Sequence, residues 1–233
     1  METANLFQTL TNFAPLSREV KQHLTDVYTI LAGLVAVAAF GCWFQINYDI
    51  SASFAGIMIP VFALLLTFSQ PQFGVSVFKQ YYRLGLLVTL GLMQGIATGP
   101  VVNYALDLNE TVVLQAFVLT CVIFGCFTVA AMMNERRDYL YLSGFISSLS
   151  LILLFNSLFR FSFNLTLYGG LILFVLYILY DTQMIIRKVE LVGAKNSDAI
   201  SHSLELFIDF AQLFIRILVL LSDKEENKKK KKN

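Results

Sequence analysis

Residues 200–221 read "ISHSLELFIDFAQLFIRILVLL", and the fold turns on where this segment lies. His202, Glu205, Asp209, Gln212 and Arg216 follow one another at spacings of 3, 4, 3 and 4 residues. In a helix that spacing gathers all five on one face, and leaves Leu206, Phe207, Phe210, Leu213, Phe214 and Ile217 on the others. The polar face either meets water or turns into a bundle. Facing lipid, each charge at depth would cost at least ~2.5–3.5 kcal/mol. A lipid-facing stripe is therefore excluded.

The rest of the chain says which solvent is present. Of its 233 residues, 57% are hydrophobic and 14% charged, whereas soluble domains are nearer ~45–50% apolar and ~25% charged. Seven apolar runs have spanning length: 28–46, 52–68, 84–106, 111–133, 139–159, 165–186 and 200–221. The reading is an all-α membrane protein, a seven-helix bundle with the polar-striped last helix central and either spanning or re-entrant. Residues 1–27 are read as a cytoplasmic N-terminal segment without the marks of a signal peptide, 28–221 as the transmembrane bundle and 222–233 as a lysine-rich tail. Cys42, Cys121 and Cys126 fall inside spans and read as packing residues. The net charge of +1 gives no reason to expect a nucleic-acid partner.

Orientation follows from the loops. Lys79 and Arg83, then Arg136 and Arg137, then Arg187, Lys188 and Lys195 occupy alternate connections, and the other connections are poor in basic residues. The positive-inside rule then places the N-terminus and the basic loops in the cytoplasm. It also favours a cytoplasmic tail, which conflicts with a full seventh span. Gly91, Gly95 and Gly99 recur every four residues and offer a face for close helix approach, as do Ser143 with Ser147 and Gly144 with Ser148. Pro60 and Pro100 are expected to kink their helices.

The natural partner for the stripe is Asp181, within "LFVLYILYDTQMIIRK" at 173–188. It lies roughly 9 Å along the helix from Arg187, with Tyr177 one turn earlier. Carboxylates held together at low dielectric tend to share a proton, which suits a pH sensor. They also suit a hard cation such as Ca²⁺, although two or three oxygens fall short of the 6–8 it prefers. Asp181 and Asp209 are thus candidate transient Ca²⁺ contacts and the candidate proton sensor. Two plainer readings stand beside this: acids that only fix helix register, and a last helix lying on the membrane surface.

The stretches "YDTQMII" and "LELFIDFAQLFIRIL", with "RLGLLVTLGLMQGIATGP" and "CFTVAAMMNERRDYLYLSG", resemble the Bax inhibitor motif proteins, from roughly Leu16 to the tail. The resemblance implies an endoplasmic-reticulum protein that suppresses cell death and leaks Ca²⁺ in a pH-dependent way. It implies that Asp181 and Asp209 form a hydrogen-bonded proton sensor, and that the other six helices surround the last one. It further implies that the tail, including Lys228, Lys229, Lys230, Lys231 and Lys232, serves the pH response and contacts with Bcl-2-type proteins. Some bacterial relatives latch the aspartates with an arginine in the second helix. Residues 52–68 hold no basic residue, so Arg216 is the expected substitute.

The leading expectation is a proton-gated Ca²⁺ channel or Ca²⁺/H⁺ exchanger, with no cofactor beyond the ions themselves. The alternatives are a non-conducting anti-apoptotic protein acting through Bcl-2 relatives or Ca²⁺-release channels, and a transporter of small cations. No Gly-x-Ser-x-Gly or His-Glu-x-x-His occurs, and the Gly-x-Gly-Asp setting of intramembrane aspartyl proteases is missing. An enzyme is not expected.

Overall fold

The computed structural model describes residues 16–69, 77–133 and 139–232. Residues 1–15 of the N-terminal segment, and Arg136 and Arg137, lie outside the described residues, as do the side chains of Lys79, Lys195 and Lys232. The described residues form seven α-helices: α1 (Arg18–Tyr48), α2 (Ala52–Phe68), α3 (Val77–Leu108), α4 (Glu110–Met133), α5 (Tyr139–Phe159), α6 (Phe163–Val192) and α7 (Ala199–Lys232). A single 3₁₀ turn, Ala194–Asn196, joins α6 to α7.

Five helices are long and apolar enough to cross a membrane: α1, α4, α6 and most of α3 and α5. The 17 residues of α2 fall just short of that length. The polar stripe and charged end of α7 keep it out of the group by composition. Local chemistry ends several helices sharply. Asp49 closes α1 in a left-handed conformation with φ 48°, and its N–H donates to Gln45 O at 2.9 Å. The Ser51 and Ser162 hydroxyls accept from Phe54 N and Leu165 N, capping α2 and α6.

α1 and α3 meet along the glycine face. A Cβ at Gly95 would collide with the Ala38 carbonyl, and one at Gly99 with the Gln45 side chain. From the other side, Gly41 sits against the Leu92 carbonyl. Small residues here let two backbones touch, which is what holds helices together where lipid removes the hydrophobic drive. The comparable face of α5 is not used: a Cβ at Gly144 would meet nothing, and Ser147 and Ser148 are exposed. Both α2 and α3 continue as helix through Pro60 and Pro100.

The last helix is central, as expected, but it has four main neighbours where the resemblance implied six. It packs against α1, α3, α4 and α6, while α2 leans chiefly on α3 and α5 chiefly on α6. Its apolar residues fill the core; Leu206, Phe207, Leu213 and Leu218 are almost fully buried. Phe210 meets Phe117 and Phe124 of α4 edge to face.

α7 crosses the bundle and does not turn back. Arg83 of α3 pairs with Asp198 at one end, and Lys229 Nζ donates to the Leu108 carbonyl at the other. The two helices therefore run parallel over the 25 residues separating Arg83 from Leu108, roughly 37 Å at 1.5 Å per residue. That exceeds a hydrocarbon core of about 30 Å. The re-entrant alternative is set aside. The lysine tail lies at the end of the bundle opposite Arg83, Lys188 and Asp198, against the lean that charge balance suggested. α7 runs on unbroken through the lysine-rich tail to Lys232.

Candidate carboxylate site between α6 and α7

α7 is fastened first at its start. Asp198 accepts from Ile200 N through Oδ1 at 3.2 Å, which caps the helix. Both carboxylate oxygens of Asp198 also receive the Arg83 guanidinium, at 3.0 and 2.5 Å, and Arg83 donates further to Ser201 Oγ at 3.1 Å. The Arg83 side chain is 3% exposed. Burial alone would push the Asp198 carboxyl up, but the bonds from Arg83 and Ser201 outweigh it and hold the acid below its ordinary range. One turn along, His202 Nδ1 meets His23 Nε2 of α1 at 2.9 Å, with both rings buried. Ser203 Oγ donates to the Val27 carbonyl of α1 at 3.1 Å.

These bonds set the register that brings the acids together. Asp181 on α6 and Asp209 on α7 lie close enough to act electrostatically on each other. Asp209 is 3% exposed, and its Oδ2 is buried with no hydrogen-bond partner. Glu205, one turn nearer the start of α7, is close enough to act electrostatically on both. Its own partner is Lys188, with Nζ at 3.9 Å from Oε1 and both side chains nearly half exposed. The carboxylate cluster is thus sealed at Asp209 and reaches solvent at Glu205.

The other residues of the stripe are not part of this cluster. Arg216 forms no ion pair with the acids among the described residues. Its Nη1 donates to the backbone carbonyl and Oε1 of Gln212 at 3.1 and 2.8 Å, and its guanidinium lies 4.5 Å from the Phe174 ring centre. Tyr177 turns to α5, where its hydroxyl is 3.2 Å from Ser150 Oγ. Lys228 to Lys231 are exposed, some 20 residues along the helix. Arg83 and Asp198 were read from sequence only as loop residues. The signal that would have found Asp198 is its position immediately before an apolar-periodic helix, where an acid is a preferred cap.

Among the described residues, no three His, Cys, Asp or Glu side chains are grouped so as to hold a metal ion. Two facing carboxyls can touch a passing cation and release a proton as they do so. They cannot supply the shell of a storage site.

A family profile described as inhibitor of apoptosis-promoting Bax1 matches residues 20–226. The chain is 37% identical to Bax inhibitor 1 of Oryza sativa subsp. japonica, covering 97% of this chain and 92% of that protein. Its identity to Bax inhibitor 1 of Arabidopsis thaliana is 36%, over 94% of this chain and 90% of the relative. To Bax inhibitor 1 of Homo sapiens it is 33%, over 97% and 96%. A seven-helix membrane bundle, built around a charged last helix and matched from end to end in this way, belongs to the Bax1-inhibitor family.

Proposed function

We propose that this protein is a pH-sensitive Ca²⁺ leak channel or Ca²⁺/H⁺ exchanger of the endoplasmic-reticulum membrane, with its N-terminus in the cytoplasm, and that it suppresses apoptotic cell death. The names of its relatives support the anti-apoptotic part. The closeness of Asp181 and Asp209 across the α6–α7 seam carries the ionic part. Two carboxyls brought close at low dielectric are stable as a unit holding one proton between them. Ionising that unit sets like charges against each other, so α6 and α7 separate and the seam admits a cation. Binding the cation displaces the proton, which couples the two ions. Ca²⁺ and H⁺ are transported or sensed ions in this reading, and the protein is neither an enzyme nor cofactor-dependent.

The test is Ca²⁺ flux into proteoliposomes as a function of pH, for wild type and Asp209→Asn. The wild type is expected to conduct in a pH-dependent manner. The variant, unable to ionise at 209, should lose that dependence. A variant that keeps the wild-type pH profile would sink the sensor assignment.

The exposed Lys228–Lys231 face of α7 supports a second reading, a non-conducting protein that docks Bcl-2-type proteins or Ca²⁺-release channels. In that case, removing the tail would abolish protection in cells, and purified protein would pass no Ca²⁺ at any pH.

A further inference from the structure

The seam between α6 and α7 has an order from one end to the other. At the tail end it opens into a cleft of about 630 Å³ whose lining includes Leu167, Tyr168, Leu220, Lys224, Lys228 and Lys231. One turn deeper, Gly170 of α6 faces Arg216 of α7. Deeper still lie Asp209 and Asp181, and beyond them Glu205 opens to solvent beside Lys188. Arg216 therefore stands between the cleft and the carboxyls, about 10 Å from Asp209 along the helix.

Its setting is built for an unneutralised charge. The guanidinium rests over Phe174 and is held by the Gln212 side chain and carbonyl, none of which carries charge. Nε is buried with no hydrogen-bond partner. Gly170 makes room for it: a Cβ there would collide with Nε and press on the other guanidinium atoms. The guanidinium reaches back one turn in the direction of the acids, to Gln212 and Phe174, and forms no ion pair with either carboxyl among the described residues. A buried cation whose counter-charge is missing repels other cations strongly.

We propose that Arg216 is the charge barrier of the seam, held across it by Gly170, Phe174 and Gln212, and that it sets how readily cations pass between the tail-end cleft and the Asp181–Asp209 pair. This rests on the ion-leak reading above, in which the carboxyls decide when the seam opens. Arg216 decides how much cation flows and with what selectivity.

The experiment uses full-length protein in planar bilayers and proteoliposomes, with CaCl₂ as the permeant salt. Arg216→Gln is expected to raise Ca²⁺ flux about ten-fold, the scale of removing one unit charge from a partly buried site. It should also shift the reversal potential toward that of Ca²⁺ and leave the pH midpoint in place. Arg216→Lys, which keeps the charge, should stay near wild type. Gly170→Ala keeps the arginine but displaces its guanidinium, and should leak as the glutamine variant does. If Arg216→Gln fails to fold, Gly170→Ala against wild type decides the matter by the same readouts. A conducting wild type whose flux and selectivity are unchanged by both variants overturns the barrier and leaves the carboxylate gate standing. A wild type that passes no Ca²⁺ at any pH overturns both.

Discussion

The two ends of α7 are held in different ways. At its start, an Arg83 side chain 3% exposed grips Asp198 with two bonds, and His23 meets His202 in a buried contact. At its far end, the contacts are on the surface: Lys230 with Glu226 at 2.5 Å, Lys228 with Glu225 at 2.9 Å, and the Tyr104 hydroxyl donating to Glu226 at 2.9 Å. Buried charge pairs tolerate no slip, since a small displacement leaves a desolvated charge alone. Exposed pairs are screened and easily replaced by water. The start of α7 is therefore the anchor that fixes helix register, and the tail end is the part free to shift without losing stability. The carboxyl pair sits between them, within reach of the anchor.

The largest expected effect breaks the anchor. Asp198→Asn leaves the Arg83 guanidinium buried without a counter-charge. It should destabilise the protein by about 3 kcal/mol, near the lower end for breaking a buried pair because Asp198 is partly exposed. Thermal unfolding in detergent measures it. The acid is held below its ordinary value near ~3.9, so its contribution is fully present above that value and disappears only as pH falls through the lower folded one. The penalty for Asp198→Asn should then be the same at pH 5 as at pH 7. A penalty that shrinks by pH 5 would mean the clasp is itself a pH switch and would erase the distinction between anchor and sensor.

A smaller loss is expected from His23→Ala, which strands a buried ring nitrogen of His202. The cost should be about 2 kcal/mol, within the usual range for an unsatisfied buried polar group. A melt indistinguishable from wild type would show that Arg83 and Asp198 anchor the start of α7 alone. The smallest effect belongs to the tail. Glu226→Gln removes the charge paired with Lys230 and should leave the melting temperature unchanged within error. A marked drop would make the tail end a second anchor and defeat the comparison.

Much of this was legible in the chain. The windows 52–68 and 139–159 coincide with α2 and α5, because an uninterrupted apolar run bounded by polar residues has only one comfortable placement in a bilayer. The glycine face of α3 was equally plain, since a small residue every fourth position allows backbone contact. The start of α1 was not. Arg18, Lys21 and Asp26 read as part of a cytoplasmic N-terminal segment until His23 is seen bonded to His202. The helical tail was missed for a related reason. Its lysines and glutamates, read only as a lysine-rich tail, are good helix formers that pair at i,i+3 and i,i+4.

By itself the sequence determined that this is a helical membrane protein, which segments are apolar enough to span, and that the stripe from His202 to Arg216 cannot face lipid. These follow from hydrophobicity and helical period, which are local properties of the chain. Only the tertiary structure decided which residues of the stripe act together. It brought Asp209 near Asp181, gave Arg216 to Phe174 and Gln212, turned Tyr177 to α5 and sent the tail to the far end. Partners of that kind depend on the register and rotation of one helix against another. Those were set at the start of α7 by Arg83 and His23, residues more than 100 positions away in the chain.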